Sequence, residues 1–166
     1  SVSGHCITAS IEHQAVLSAI GRHDHTVIPV TEHGMIEINQ LKAAIRSDTQ
    51  LISLALANNE IGTIQPIREV AALVAEERRR RLASGNATPI YFHSDASQGL
   101  GLIDVHVSRL GVDMLTINAG KVYGPKQVGA LWVSRGVEVA PQIVGGGQER
   151  GLRSGTENVA GTVGFA

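Results

Sequence analysis

Residues 51–57 have the sequence LISLALA and are followed directly by Asn58 and Asn59. A continuous apolar run of this length between polar residues is typical of a strand buried on both faces of a parallel sheet. Residues 66–83 begin with proline, which is favoured at the start of a helix, and carry an apolar stripe at helical spacing. Residues 90–93 (IYFH) form the next predicted strand. This succession predicts a parallel α/β unit at the centre of the chain.

The same alternation extends to both sides of this central unit. Strands are also predicted over residues 2–9, 26–30, 114–117 and 128–133, and helices over residues 12–20, 40–46 and the apolar stretch 159–166. The pattern predicts an α/β fold with a mostly parallel sheet flanked by helices, and ligands of such sheets bind at the carboxyl ends of the strands. Polar residues follow several predicted strands, so we expect Asn58, Asn59, Asp95 and Lys121 to converge.

Composition and charge exclude several classes of protein. The chain has 166 residues, of which 43% are hydrophobic and 17% charged, and its formal net charge is -1. This composition excludes a disordered chain, and the small net charge provides little attraction to nucleic acid or an anionic membrane. The arginines at 78–81 follow Glu76 and Glu77 on a predicted helix and are expected to form a solvated face. We therefore expect no direct nucleic-acid partner and no membrane association.

Cys6 is the single cysteine and lies in the first predicted strand. One cysteine excludes an intrachain disulfide and a multi-cysteine zinc site, and it suits a reducing compartment, so a cytoplasmic protein is expected. We expect Cys6 to be a buried small hydrophobic residue. The sequence His23-Asp24-His25 is expected to form a polar loop, and no metal site is predicted.

Two residues at predicted strand ends have side chains suited to chemistry. Lys121 follows the strand over residues 114–117 in a glycine-containing turn, where removal from water would free its amine as a nucleophile. Spacing alone favours an exposed loop lysine at this position. Asp95 ends another strand, where its carboxylate would hold a protonated heterocyclic nitrogen or cap a helix. The pattern leaves both alternatives open.

Five sequence blocks in the same order resemble the cysteine desulfurases, which belong to the class V aminotransferase family. These blocks are IEH at 11–13, NNEIG at 58–62, HSDASQ at 93–98, KVYGPK at 121–126 and GGGQERGLRSGT at 145–156. The resemblance implies a fold type I enzyme that depends on pyridoxal 5'-phosphate (PLP). Such an enzyme removes sulfur from L-cysteine and leaves L-alanine and a persulfide on an enzyme cysteine. By this resemblance, residues 1–166 form part of the PLP-binding large domain.

The resemblance also implies roles for individual residues. Lys121 corresponds to the lysine that forms the Schiff base and moves protons at the substrate Cα. Asp95 corresponds to the carboxylate that faces the pyridinium nitrogen, and His13 to the histidine that stacks on the cofactor ring and takes part in proton transfer. Asn59 and Gln98 correspond to the pair near the phenolic oxygen of the cofactor, where neutral hydrogen-bond donors adjust the charge on that oxygen without competing for its proton.

The phosphate end of the implied site departs from the family pattern. The family has a serine and a histidine before the lysine, both in contact with the phosphate, whereas this chain has Asn118 and Gly120. Asn118 can still donate a hydrogen bond, and Gly120 offers a backbone N–H, so both remain predicted cofactor-binding residues. Thr156 corresponds to a threonine that reaches the phosphate of the neighbouring subunit, which implies a homodimer with shared active sites. Arg153 and Ser154 are expected only to shape this loop.

The resemblance covers only part of a family member. The glycine-threonine phosphate loop, the substrate-carboxylate arginine and the sulfur-accepting cysteine have no counterpart here, so the chain is expected to be an internal fragment. On its own it is expected to keep the α/β core, bind PLP weakly, self-associate and lack desulfurase activity.

The implied partners of the whole enzyme are L-cysteine and sulfur-acceptor or iron-sulfur scaffold proteins, for cluster assembly or thionucleoside synthesis. Selenocysteine lyase or another class V PLP enzyme is an alternative. A non-catalytic PLP-fold module for binding or dimerisation is an alternative of a different class.

Overall fold

A computed structural model describes residues 2–166 of the chain. Within these residues the strands are β1 (His5–Ala9), β2 (His25–Ile28), β3 (Thr49–Ala55), β4 (Tyr91–Asp95), β5 (Met114–Asn118) and β6 (Gly129–Val133). The helices are α1 (Gln14–Ile20), α2 (Ile38–Ala44), α3 (Ile67–Ala83), α4 (Val107–Leu110) and α5 (Val159–Phe165), with short 3-10 turns at Ala119–Lys121 and Glu149–Gly151.

The strands form a six-stranded sheet in the order β2-β1-β3-β4-β5-β6. Strands β1 to β5 run parallel, and β6 pairs antiparallel with β5 at one edge. The predicted mostly parallel α/β sheet is therefore confirmed. The register places Ala55 opposite Asp95, and Asp95 opposite Thr116, so the ends of β3, β4 and β5 lie side by side.

Helix α3 covers the centre of the sheet with the apolar stripe predicted from its spacing. Its side chains Ile67, Val70, Leu73 and Val74 are buried against the strands. The core that they join includes Ile7, Ile52, Leu54, Ile90, Phe92 and Leu115. Full burial of one such side chain contributes about 1.5–3 kcal/mol to folding. None of the helices within residues 2–166 has the length and apolarity required to span a bilayer.

Helix α1 begins later than its apolar spacing indicated. The predicted helix over residues 12–20 starts at Gln14, because His13 has extended backbone angles and its side chain accepts a hydrogen bond from the backbone N–H of Ala15. Glu12 lies before the helix and is buried. The segment that joins β1 to α1 therefore carries both residues at the end of the sheet.

One arginine of the run at 78–81 on α3 is buried, contrary to the expectation. Arg81 is only 2% exposed, so the expected solvated face is wrong at this residue. Its guanidinium pairs with Glu77 at 2.6 Å and donates to the carbonyl oxygens of Thr49 and Thr88. Those carbonyls come from the start of β3 and from the loop before β4, and Arg81 therefore connects the end of α3 to the sheet.

Cys6 lies in the interior of β1 and is fully buried. Burial raises the pKa of its thiol, and the negative charge of Asp24 raises it further. The prediction of a buried small residue at this position is confirmed. A thiol kept protonated and out of contact with solvent is a poor nucleophile.

Candidate active site

A cavity of about 240 Å³ opens at the carboxyl ends of the parallel strands. Its polar lining consists of His13, Asn58, Asn59, Asp95, Ser97, Gln98, Thr116, Asn118 and Lys121, and its apolar lining of Ile11, Ala15, Ala55 and Ala57. Parallel strands end at the same edge of a sheet, which explains why residues distant in sequence meet here. The cavity thus brings together all of the predicted site residues except Gly120 and Thr156.

His13 has a defined orientation at the start of α1. Its Nδ1 accepts a hydrogen bond of 3.1 Å from the backbone N–H of Ala15. A ring nitrogen that accepts a hydrogen bond carries no proton, so we infer that the neutral ring carries its proton on Nε2. His13 therefore has a donor available on the side of the ring remote from the helix.

Asp95 is the last residue of β4 and lies in the lining of the cavity. Its Oδ1 accepts a hydrogen bond of 2.9 Å from the backbone N–H of Ser97. The carboxylate therefore caps the turn that follows β4 and lies in the cavity lining, while its contact with a heterocyclic nitrogen remains a prediction.

The two neighbouring asparagines after β3 have different surroundings. The amide of Asn58 donates to the carbonyl of Ile11 at 2.8 Å, and its Oδ1 accepts from the backbone N–H groups of Glu60 and Ile61. Asn58 thereby fastens this loop to the segment before α1. Asn59 is exposed and contributes to the cavity lining beside it.

Lys121 ends the 3-10 turn that follows β5 and lines the cavity. Asn118 caps this turn, since its Oδ1 accepts a hydrogen bond of 2.8 Å from the backbone N–H of Gly120. The Gly120 N–H thus has a partner within the chain, and its contact with a cofactor phosphate remains a prediction. Asn118 lies in the cavity lining and retains its amide NH₂ as a donor.

Glu12 is a buried acidic residue that the sequence analysis did not single out. Its side chain is only 6% exposed, and its Oε1 accepts a hydrogen bond of 2.6 Å from the backbone N–H of Ala55. Burial raises the pKa of this carboxyl to about 7; the Ala55 hydrogen bond opposes the rise, and the charge of Asp95 adds to it. The available signal was its position in the IEH block, directly before His13.

A polar chain crosses three strands close to the cavity. His93 on β4 shares one hydrogen bond of 2.8 Å with the Ser53 hydroxyl on β3 and another with the Thr116 hydroxyl on β5. Burial lowers the pKa of His93, which keeps its ring neutral. Because Thr116 lines the cavity, this chain fixes one of its walls.

The glycine-rich block at 145–156 forms a loop held by its own hydrogen bonds. The Ser154 hydroxyl is buried and accepts from the backbone N–H of Gly147 at 3.2 Å, while Arg153 donates to the Ser154 carbonyl. Both residues shape the loop, as expected. Thr156 is exposed and is not part of the cavity lining, so its contact with a second subunit remains a prediction.

Comparisons with known proteins agree on one family. Residues 3–166 match the family model described as aminotransferase class-V. The chain is 45% identical to cysteine desulfurase IscS 1 of Archaeoglobus fulgidus over 166 residues, which are 97% of this chain and 40% of that protein. It is 46% identical to cysteine desulfurase IscS of Dictyoglomus turgidum over 167 residues, 97% of this chain and 39% of that protein.

A solved structure described as SspA in complex with cysteine has the same arrangement of strands and helices. It matches with a TM-score of 0.87 and 40% sequence identity, over 99% of this chain and 46% of that one. The chain spans about 40% of the length of the curated relatives that it matches.

Proposed function

Because the chain belongs to the class V aminotransferase family, we propose that it forms the cofactor-binding part of the large domain of a PLP-dependent cysteine desulfurase. One observation carries this proposal: the amine of Lys121, the carboxylate of Asp95 and the imidazole of His13 line one cavity although they come from separate elements. The same three residues are those that the resemblance assigned to the chemistry.

The residues around the cavity fit PLP. A carboxylate at the end of β4 suits a protonated ring nitrogen, and an amine after β5 suits the aldehyde. Ala55, Ala57 and Ile11 supply small apolar surface against which a flat ring can lie. The volume of about 240 Å³ suits a small heterocycle better than a dinucleotide.

Each side chain has a distinct task in this proposal. When bound, PLP withdraws electrons from the substrate Cα. Asp95 holds the ring nitrogen protonated through its opposite charge, and its bond to Ser97 N–H keeps the carboxylate oriented. Lys121 takes and returns the proton at the substrate Cα, and His13 donates from Nε2. Gln98 and Asn59, which both line the cavity, supply neutral hydrogen-bond donors for the phenolic oxygen.

The whole protein's reaction and partners belong to the same proposal. We propose L-cysteine as substrate, L-alanine as product and a persulfide on a cysteine other than the fully buried Cys6. The names of the cysteine desulfurase relatives and the cysteine complex of SspA support this choice. A homodimer that shares Thr156 between its sites, sulfur-acceptor or iron-sulfur scaffold partners and a cytoplasmic location complete the proposal.

The proposal is tested by locating the lysine that binds PLP. The chain is incubated with PLP, treated with sodium borohydride to make any lysine linkage permanent, and digested for peptide mass analysis. We expect the added mass on Lys121, its loss in Lys121→Ala, and its retention in Lys126→Ala, a matched change in the same sequence block. Equal labelling of surface lysines, with Lys121 no more reactive than Lys126, would contradict the proposal and favour a non-catalytic module.

A further inference from the structure

Glu12 has no task in the proposed function, yet it lies between two residues of the cavity lining, Ile11 and His13. Its side chain is more than nine-tenths buried. One carboxyl oxygen, Oε1, bonds to the backbone N–H of Ala55. The other, Oε2, is buried without a hydrogen-bond partner within the described residues 2–166. An unpaired buried polar atom destabilises the fold, so its presence calls for a functional explanation.

The bond to Ala55 explains how the carboxyl group comes to be at this place. The pairing of β1 with β3 ends at Thr8 and Ser53. Two residues farther along β3, the Ala55 N–H lies beyond the end of this ladder, and the Glu12 side chain supplies the missing acceptor. On the other side, Ala55 is the register partner of Asp95. Glu12 is thus fixed to the strand end that lies next to the Asp95 carboxylate.

The titratable side chains on the elements around Glu12 are His13 at the start of α1, His93 and Asp95 on β4, and Lys121 after β5. Of these, Asp95 is the residue whose charge acts on Glu12. Burial favours the protonated form of the Glu12 carboxyl group, and repulsion from the negative charge of Asp95 favours it further. A cation placed against Asp95 would cancel that repulsion and make the Glu12 anion more stable.

We propose that Glu12 is a positioning residue whose buried carboxyl group holds the end of β3 beside Asp95, and which binds its proton less tightly when a cation binds Asp95. The inference rests on the proposed function, since the cation is the protonated ring nitrogen of PLP. The ligand adds little further desolvation because Glu12 is already only 6% exposed. Its effect on Glu12 is therefore mainly the loss of repulsion from Asp95.

The coupling between Glu12 and Asp95 is tested first without any cofactor. The carboxyl carbon of Glu12 is followed by NMR during a pH titration, with its signal assigned from its loss in Glu12→Gln. We expect a midpoint well above that of an ordinary glutamate, because the group is buried, and a lower midpoint in Asp95→Asn, whose amide oxygen can still accept from Ser97. Asp48→Asn, at the opposite end of β3, is the matched control and should leave the midpoint unchanged. A midpoint that Asp95→Asn does not lower would overturn the proposal.

Proton release on PLP binding is the second measurement. PLP is added to the chain in weakly buffered solution near neutral pH, and the protons released per bound PLP are compared between the original chain and Glu12→Gln. The glutamine keeps an acceptor for Ala55 but has no proton to release, so we expect fewer protons from the variant. Equal release would overturn the proposal. If PLP does not bind at all, the proposed function fails for this chain, while the cofactor-free titration still decides the coupling.

Discussion

Several residues of the candidate site also stabilise the backbone beside them. His13 caps α1, Asp95 caps the turn at Ser97, and Asn118 caps the turn that leads to Lys121. Substitutions at these three positions therefore affect local structure as well as ligand binding. Within the described residues 2–166, Lys121 makes no side-chain hydrogen bond or ion pair of this kind, which makes it the residue where function and stability are most easily separated.

Lys121→Ala is expected to abolish cysteine turnover in the full-length protein. Loss of a general acid or base lowers a rate by about 10²- to 10⁴-fold, and the linkage to PLP is lost as well. The free energy of unfolding should change by no more than about 0.5 kcal/mol, as is usual for surface substitutions. Alanine formation and denaturant unfolding are measured, with Lys126→Ala as control. Turnover close to that of the original protein would contradict the assignment of Lys121.

Gly120→His combined with Asn118→Ser is expected to strengthen PLP binding. The change introduces the residues that the family carries before the lysine, and one added charge-assisted hydrogen bond to phosphate contributes about 1.5 kcal/mol or more, or about tenfold in affinity. A Cβ at Gly120 would lie 3.2 Å from the Asn118 Oδ1, so the shorter serine relieves a tight contact. Fluorescence titration with PLP measures the effect. An unchanged dissociation constant would show that these positions do not reach the phosphate.

Glu12 is expected to make the chain less stable as the pH rises towards neutrality. The pKa of Glu12 in the folded chain is about 7 against 4.5 for the unfolded reference, so the folded state binds the proton more tightly. The free energy of unfolding should therefore fall between about pH 4.5 and 7, by a total of about 3 kcal/mol. Glu12→Gln should remove this slope in urea unfolding followed across that range. If the free energy of unfolding of Glu12→Gln falls with pH as steeply as that of the original chain, groups other than Glu12 cause the pH dependence.

At the scale of elements, hydrogen bonds from a charged side chain hold helix α3 against the sheet in addition to apolar packing. Its N-terminal part buries Ile67 and Val70, whereas its C-terminal turn buries the guanidinium of Arg81 against strand and loop carbonyls. The Glu77 carboxylate pairs with both Arg80 and Arg81, and these arginines hold its pKa below the usual range. The end of α3 is therefore positioned by directional hydrogen bonds.

Arg81→Ala is expected to destabilise the chain by about 3 kcal/mol, because it leaves a buried carboxylate and buried carbonyls with fewer partners. Arg79→Ala, on the exposed side of the same helix, should change the free energy of unfolding by no more than about 0.5 kcal/mol. Both values come from denaturant unfolding at the same pH. Similar costs for the two variants would mean that the carbonyl contacts of Arg81 contribute little.

At the scale of the whole molecule, apolar exposure is concentrated in the last third of the chain. Leu131 and Trp132 on β6 are 47% and 40% exposed, and Val159 and Val163 on α5 are 67% and 71% exposed. Strand β6 is also an edge of the sheet. Exposed apolar residues at a sheet edge favour association with another chain.

Self-association of the chain is therefore expected to weaken when exposed apolar residues of β6 and α5 are made polar. Trp132→Lys and Val163→Lys should shift the chain towards monomer in sedimentation velocity experiments, because each replaces apolar surface with a charge. Leu82→Lys is the matched control, since Leu82 is 82% exposed and lies on α3, a different element. If all three variants sediment like the original chain, the β6 and α5 surface does not mediate association.

Local patterns in the sequence were sufficient for the alternation of strands and helices and for the convergence of Asn58, Asn59, Asp95 and Lys121. The remaining predicted cavity residues, His13, Gln98 and Asn118, were assigned by the family resemblance. Periodicity and polar residues at strand ends are properties of neighbouring residues, and the ends of parallel strands must meet at one edge. The convergence of Asp95 and Lys121 in one cavity follows from that rule. The helix boundary at His13 was missed because it depends on a side-chain cap rather than on apolar spacing.

The tertiary structure alone decided which polar groups are buried and which partners they have. Glu12 bonds to Ala55, 43 residues away, and Arg81 donates to Thr49, 32 residues away. The burial and pKa of such groups depend on contacts between distant segments, which no local pattern records. The same holds for the antiparallel placement of β6 at the edge of the sheet, because strand direction depends on how the chain returns to the sheet.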